Sequence, residues 1–168
     1  MQITNIVCSF NIDCLLDLHY LNLVIEQCKY RPSKFSALIW KQFQSTFLIF
    51  NSGHVTCLGC KSFDQCHTVI DKFIKALHEF GYCQATKNCF KIISISAVYN
   101  VKGGINLIKL VKEKGATLEP ELFPAAFLKI NSIHFSCFHS GKVIITGIKS
   151  ESDLIEKVAP VLIELELL

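Results

Sequence analysis

Long apolar runs are missing from this sequence. None approaches the roughly 18 residues that a membrane-spanning helix needs, and residues 1–10 lack the basic and long apolar regions of a secretory signal. We therefore expect neither a membrane span nor secretion. Charged residues are also few, at 18% of the 168 residues against 51% hydrophobic ones, which excludes a disordered chain and predicts an ordered core. No linker rich in Pro, Gly or Ser divides the chain.

Nine cysteines are present, and without a signal their simplest interpretation is reduced thiols in the cytosol or nucleus. Cys57 and Cys60, followed by Cys66 and His67, have a spacing similar to that of zinc ligands. Cys57 should face the core, however, and Cys66 falls on the apolar face of a predicted helix, so we favour buried free thiols. A cysteine–histidine nucleophile would lack an acidic or amide partner, and no glycine-rich phosphate loop is present. We expect no enzyme, no cofactor and no metal.

The sequence repeats itself after 88 residues. Between Lys29 and Ser62, 12 of 34 positions are identical to those 88 residues later, where chance would give about two. The repeated residues include Phe35 and Phe50, which return as Phe123 and Phe138. Two copies of an αβ unit predict one pseudo-symmetric body. The net charge of +3 gives only weak support for nucleic-acid binding.

Each copy reads as strand, short helix, several strands and a longer helix. Capping-box patterns begin the long helices at Ser62 and Ser150, and Pro160 should bend or weaken the second one. Shorter helices are expected near 17–27 and 104–114, and hairpins should turn at 51–53 and 139–141. So few helices can cover only one face of the sheet. The other face would then expose apolar side chains, and an exposed apolar patch of that size usually marks a binding surface.

The sequence resembles the core domain of the TATA-box-binding protein (TBP) family over essentially its whole length. The residues that carry the resemblance are Asn5–Val7, Tyr30–Phe35, Leu48–Gly53, Gly59–Ser62, Glu119–Pro124, Ser140–Lys142 and Thr146–Lys149.

The resemblance implies an α+β fold, a pseudo-two-fold saddle whose curved antiparallel sheet of about ten strands carries four helices on its convex side. A single domain over 1–168 is expected, made of repeats 1–88 and 89–168. The implied function is that of a DNA-binding general transcription initiation factor, which straps onto and kinks the minor groove of A·T-rich, TATA-like promoter DNA.

The implied site residues fall into three groups. The family's intercalating phenylalanines correspond to Phe35, Phe50, Phe123 and Phe138. Family positions near phosphates correspond to Lys41, Lys61, Lys129 and Lys149, which supply charge without the bidentate fork of arginine. Family positions in the groove correspond to Asn5, Val7, Leu48, Thr56, Leu58, Ser94, Ser96, Ser136, Ile144 and Thr146.

Five of the groove positions depart from the family pattern. Ser96 stands where the family has Val, Thr56 and Ser136 stand where it has apolar residues, and two further changes affect the central polar groups. Ser94 stands where the family has Asn, and Leu58 stands where it has Thr. The first change replaces an amide with a shorter hydroxyl, and the second removes a hydroxyl from the centre of the groove surface, so we expect a weaker preference for a strict TATA sequence.

The partners implied are double-stranded DNA, a transcription factor IIB-like protein at Glu119, Glu121 and Leu122, and other initiation factors. The nucleus is the expected location. A second interpretation stays open, namely a TBP-like paralogue, viral or not, that acts mainly as a protein-interaction module with weak or non-TATA DNA binding. A virus-encoded protein would act at the site of viral transcription.

Overall fold

The computed structural model describes residues 1–167, and its contacts divide them into two compact units. The first unit comprises Asn5–Ile93, and the second comprises residues 94–167 together with Met1–Thr4. The expected single domain with repeats 1–88 and 89–168 stays a prediction. Within the described residues, no helix is both long enough and apolar enough to cross a membrane.

The first unit is an antiparallel sheet with two helices. Its strands are hydrogen-bonded in the order β2-β3-β4-β5-β1. The elements along the chain are β1 (Gln2–Asn11), α1 (Leu18–Val24), β2 (Cys28–Arg31), β3 (Phe35–Gln42), β4 (Ser45–Ile49), β5 (His54–Cys60) and α2 (Phe63–Glu79).

The second unit repeats this plan in the strand order β6-β10-β9-β8-β7. Its elements are β6 (Asn88–Asn100), α3 (Leu107–Lys114), β7 (Thr117–Leu118), β8 (Ala125–Ile130), β9 (Ile133–Phe138), β10 (Lys142–Ile148), α4 (Glu151–Asp153), a π-helical turn (Leu154–Val158) and α5 (Ala159–Glu166). The hairpins predicted at 51–53 and 139–141 are confirmed, as β4 pairs with β5 and β9 with β10.

The apolar stripe of α2 covers one face of the first unit's sheet. Phe73 of α2 stacks on Phe47 of β4, with 4.5 Å between ring centroids, and meets Phe10 edge-on at 5.7 Å. Trp40 of β3 lies against the same two rings, Phe47 and Phe73. Each fully buried side chain of this size contributes roughly 1.5–3 kcal/mol relative to its exposed state. This aromatic cluster therefore fixes which face of the sheet the helix covers.

Both long helices begin as the capping pattern predicts. The Gln65 N–H donates to Ser62 Oγ (3.1 Å), and the Lys61 N–H donates to Gln65 Oε1 (2.7 Å). The second copy has the same arrangement, with Asp153 in the role of Gln65. The reciprocal bond thus reaches the residue before the N-cap rather than the N-cap residue itself.

The predicted interruption at Pro160 is confirmed, and it takes the form of a π-helical turn. Pro160 has no N–H and cannot donate to the carbonyl four residues earlier. The turn Leu154–Val158 ends two residues before the proline, which is the second residue of α5, and it separates α4 from α5. The three segments form one interrupted helix, which corresponds to the fourth predicted helix.

Asp153 should link the stability of this helix to pH. Its carboxylate accepts from Lys157 Nζ (2.5 Å) and from the Lys149 N–H (3.0 Å), and the Lys157 hydrogen bond is the main cause that lowers its pKa below 3.8. Its stabilising contribution is therefore fully present above pH 3.8 and is lost as the pH falls through the lowered folded-state pKa.

We expect the wild type to lose more free energy of unfolding than Asp153→Asn between roughly pH 6 and roughly pH 2, measured by urea titration at each pH. Glu151→Gln, at an exposed carboxylate in the same helix, is the matched control and should follow the wild type. Equal acid sensitivity of Asp153→Asn and wild type would contradict this role.

Candidate nucleic-acid interface

Each unit has a sheet face whose side chains are not buried beneath helices. Along the strands, fully buried residues such as Phe47 and Phe135 alternate with half-buried or exposed ones such as Leu48 and Ser136. We call the side that carries the second set the open face of each unit. An open face of half-buried apolar and small polar groups is suited to contact with a ligand.

Strand pairing in the first unit aligns the open-face residues in two rows. One row runs Ile39–Leu48–Thr56–Ser9, and the other runs Lys41–Thr46–Leu58–Val7. The predicted groove residues Val7, Leu48, Thr56 and Leu58 thus lie side by side, and Lys41 stands at the outer end of their row. Ile39, Thr46 and Ser9 lie on the same side but were not predicted, and Ser9 is buried.

The second unit has the matching rows. Phe127, Ser136, Ile144 and Val98 form the first, and Lys129, His134 and Thr146 form the second. Ser96 and Ser94 continue the open face along β6, where both are half-buried. The predicted groove residues are again brought together, and Phe127 and His134 are additions. Both positions could have been predicted from the sequence, because each lies two residues from another open-face position on the same strand.

A glycine bulge fixes the direction of the Asn5 amide. The β1–β5 register shifts at Ile6/Val7, opposite Gly59, whose φ of +106° is unfavourable for any residue with a side chain. The Gly59 N–H donates to Asn5 Oδ1 (2.8 Å). Because the amide oxygen is held there, the Asn5 NH₂ group is presented as the donor.

The second unit keeps the bulge but not the amide. The β10–β6 register shifts between Ile145 and Ile148, and Gly147 has a φ of +87°. Ser94 occupies the position of Asn5, and among residues 1–167 its hydroxyl makes no hydrogen bond of the Asn5 kind. The two bulges are alike in backbone and different in the donor they carry.

The four predicted wedge phenylalanines form two pairs, one in each unit. Phe35 and Phe50 lie 6.3 Å apart between ring centroids, and Phe123 and Phe138 lie 5.9 Å apart, both edge to face. Phe35 is 43% exposed and Phe123 is 44% exposed, whereas Phe50 and Phe138 are half-buried. Rings of this exposure are not core residues.

The four predicted phosphate lysines are exposed, and none forms an ion pair within the described residues. Lys41 and Lys129 lie on the open face, while Lys61 and Lys149 immediately precede the N-caps of α2 and α4. The sequence did not indicate a second basic group. Lys29, Arg31 and Lys34 line a cleft of about 250 Å³ together with Phe35.

The corresponding segment of the second unit is acidic and apolar. Residues 119–123 form a turn in which the Leu122 and Phe123 N–H groups both donate to the Glu119 carbonyl (3.0 Å each). Glu119 and Glu121 are exposed, and Leu122 is 79% exposed. The predicted partner residues therefore lie on one accessible turn beside Phe123.

The cysteines of the zinc-like pattern lie in the core. Cys57 and Cys66 are fully buried, as predicted, along with Cys8 and Cys60. The Sγ atoms of Cys57 and Cys60 are 3.9 Å apart, and hydrogen bonds from Cys57 and Cys66 lower the pKa of Cys60. Within residues 1–167, no three His, Cys, Asp or Glu side chains are placed to hold a metal ion.

Comparison with known proteins gives a consistent result. The family model described as transcription factor TFIID (or TATA-binding protein, TBP) matches residues 1–80 and 89–167. TATA-box-binding protein 1 of Arabidopsis thaliana is 36% identical over 169 residues, which cover 95% of this chain and 84% of that protein. TATA box-binding protein-like 2 of Rattus norvegicus is 34% identical over 161 residues, which cover 92% of this chain but only 46% of that protein.

A solved structure extends the likeness to the fold. Methanococcus jannaschii TBP superimposes with a TM-score of 0.86 and 30% identity, covering 99% of this chain and 98% of that one. The predicted α+β fold of ten antiparallel strands with four helices is confirmed. The matches over both repeats, in sequence and in structure, show that the chain belongs to the TATA-binding protein family.

Proposed function

We propose that the chain is a transcription initiation factor that binds the minor groove of A·T-rich, TATA-like promoter DNA through its open faces and kinks it. The observation that carries this proposal is the pair of exposed phenylalanines in each unit, beside an open face of apolar and small polar residues. Family membership adds the class of ligand, since the curated relatives are TATA-box-binding proteins by name. The nucleus is the corresponding location.

The chemistry of the open face suits a minor groove. Leu48 and Ile144 can contact sugars and base edges, and the Asn5 NH₂ can donate to the acceptors that A·T pairs present there. Lys41 and Lys129, at the outer ends of their rows, can neutralise phosphates and release counterions. Unstacking a base step costs a protein of this family on the order of a few kcal/mol, which wider contact with the bent duplex offsets.

Recruitment of a transcription factor IIB-like protein is assigned to the turn of Glu119, Glu121 and Leu122. Two exposed carboxylates around an exposed leucine suit a partner surface that is basic and apolar. The same acidity disfavours phosphate contact, so this turn and the basic cleft beside Phe35 take different ligands.

The alternative, a family member that acts mainly through protein contacts, is favoured by Ser94 and Leu58. Ser94 offers a shorter polar group than the family's Asn, and Leu58 offers none. The relatives named above come from a plant, an animal and an archaeon, and a viral origin finds no support in them. An enzymatic function is not proposed, because the family consists of transcription factors. Titration of TATA and scrambled duplexes in a gel-shift assay separates the two functions.

Replacing both Phe123 and Phe138 with Ala should abolish DNA bending by the second unit and leave the fold intact, because these rings are not part of the core. Bending is measured by energy transfer between the two ends of a labelled duplex, and folding by circular dichroism. The matched control is Phe35→Ala with Phe50→Ala in the first unit, which should remove the other bend. Loss of folded structure, or full bending by the double variant, would refute the wedge role.

Glu121→Arg should weaken a transcription factor IIB-like partner by roughly tenfold, because the reversed charge opposes a basic patch. Affinity for DNA should be nearly unchanged. Ternary-complex titration on a fixed duplex measures both, with Glu79→Arg at the exposed end of α2 as the control. Equal ternary-complex formation by Glu121→Arg and wild type would show that the turn is not the docking surface.

Ser94→Asn combined with Leu58→Thr should sharpen the preference for TATA. By the repeat relation, an amide at position 94 would meet the Gly147 bulge as Asn5 meets Gly59, and a threonine at 58 would match Thr146. The wild type should discriminate by less than the roughly 1–3 kcal/mol per mismatch of a specific site. Selection from a random duplex library is the measurement, with each single variant as a control. A wild-type consensus as sharp as that of the double variant would disprove this account.

A further inference from the structure

Phe127 extends the aromatic pair of the second unit into a row of three rings. It lies on the open face of β8 and is 46% exposed. Its ring stacks on Phe123 with 5.6 Å between centroids and 23° between planes, and Phe123 in turn meets Phe138. A preformed row of three solvent-accessible rings, one pair stacked and one pair edge to face, has no role in the core.

The first unit has no counterpart to this third ring. Ile39 occupies the position of Phe127, so no third phenylalanine joins the pair Phe35–Phe50. The ring next to that pair is the His54 imidazole, 6.0 Å from Phe50 and tilted by 45°. The cross-strand neighbours differ in a complementary way, because Ile39 lies opposite Leu48 whereas Phe127 lies opposite Ser136. In the second unit, a large and a small residue stand where the first unit has two residues of medium size. The small Ser136 side chain therefore leaves room for the Phe127 ring.

Resting on the DNA-binding function proposed above, we propose that Phe127 is the third ring of the second unit's wedge and determines the orientation of the protein on an asymmetric site. Three rings cover more of an opened base step than two, and the additional base–aromatic stacking stabilises the complex. A larger wedge must open the base step more widely. Flexible pyrimidine–purine steps open at a lower free-energy cost than stiff A-tracts. The second unit therefore takes the more deformable end of the site.

The probe is an A·T-rich duplex with TA steps at one end and an A-tract at the other. 2-Aminopurine replaces one adenine at either end, so its fluorescence rises where the protein unstacks the step. Three proteins are compared with wild type: Phe127→Ile with Ser136→Leu, which copies the first unit's pair; Ile39→Phe with Leu48→Ser, which copies the second unit's pair; and Phe90→Ile. The last is the matched control, because Phe90 contacts His67 of α2 instead of the open-face rings.

We expect Phe127→Ile with Ser136→Leu to weaken binding about fivefold and to reduce the fluorescence rise at the TA end only. Ile39→Phe with Leu48→Ser should increase the rise at the A-tract end only, and Phe90→Ile should match wild type at both ends. Binding and unstacking by the Phe127 variant equal to wild type would overturn the inference, as would an equal loss at both ends. Absence of DNA binding by the wild type itself would instead overturn the proposed function.

Discussion

The stacking of Phe73 on Phe47 is the contact on which the arrangement of the first unit depends. With 4.5 Å between centroids and Trp40 packed alongside, it commits one face of the sheet to α2. The alternation of side chains along each strand then sends the remaining residues to the opposite face. Because the long helix of this unit, α2, packs on the first face, the leucines and threonines of the opposite face remain only half-buried. The proposed DNA-binding surface is thus a consequence of where the core was built.

The same glycine bulge lies beside a different polar side chain in each unit. Gly59 and Gly147 both take positive φ values next to a register shift, so the duplication preserved the distortion itself. In the first unit the bulge holds the Asn5 oxygen and directs its NH₂ outward. In the second unit Ser94 is too short to repeat this. The amide was therefore replaced without a change in the bulge, which is the basis for expecting that substitution at position 94 restores it.

Much of this could be predicted from the sequence. The repeat and the family motifs identified the four phenylalanines and most open-face residues, and Ser62 and Ser150 marked the starts of both long helices. What escaped prediction depends on tertiary pairing. The β3–β4 turn places Phe43 and Gln44 at positive φ, and no glycine at these positions indicated the turn in the sequence. The register that sets Phe127 beside Phe123, and the basic cleft around Arg31, appear only once the strands are aligned.

The two units differ in charge where their loops meet the wedge rings. Beside Phe35 lie Lys29, Arg31 and Lys34, whereas the equivalent positions beside Phe123 are Thr117, Glu119 and Leu122. The first unit thus offers cations and two phenylalanine rings, and the second offers carboxylates and three phenylalanine rings. Cations attract a phosphate backbone at long range, while rings act only after contact. The basic unit is therefore suited to begin the encounter with DNA and the aromatic unit to complete it, with its acidic turn left free for a protein.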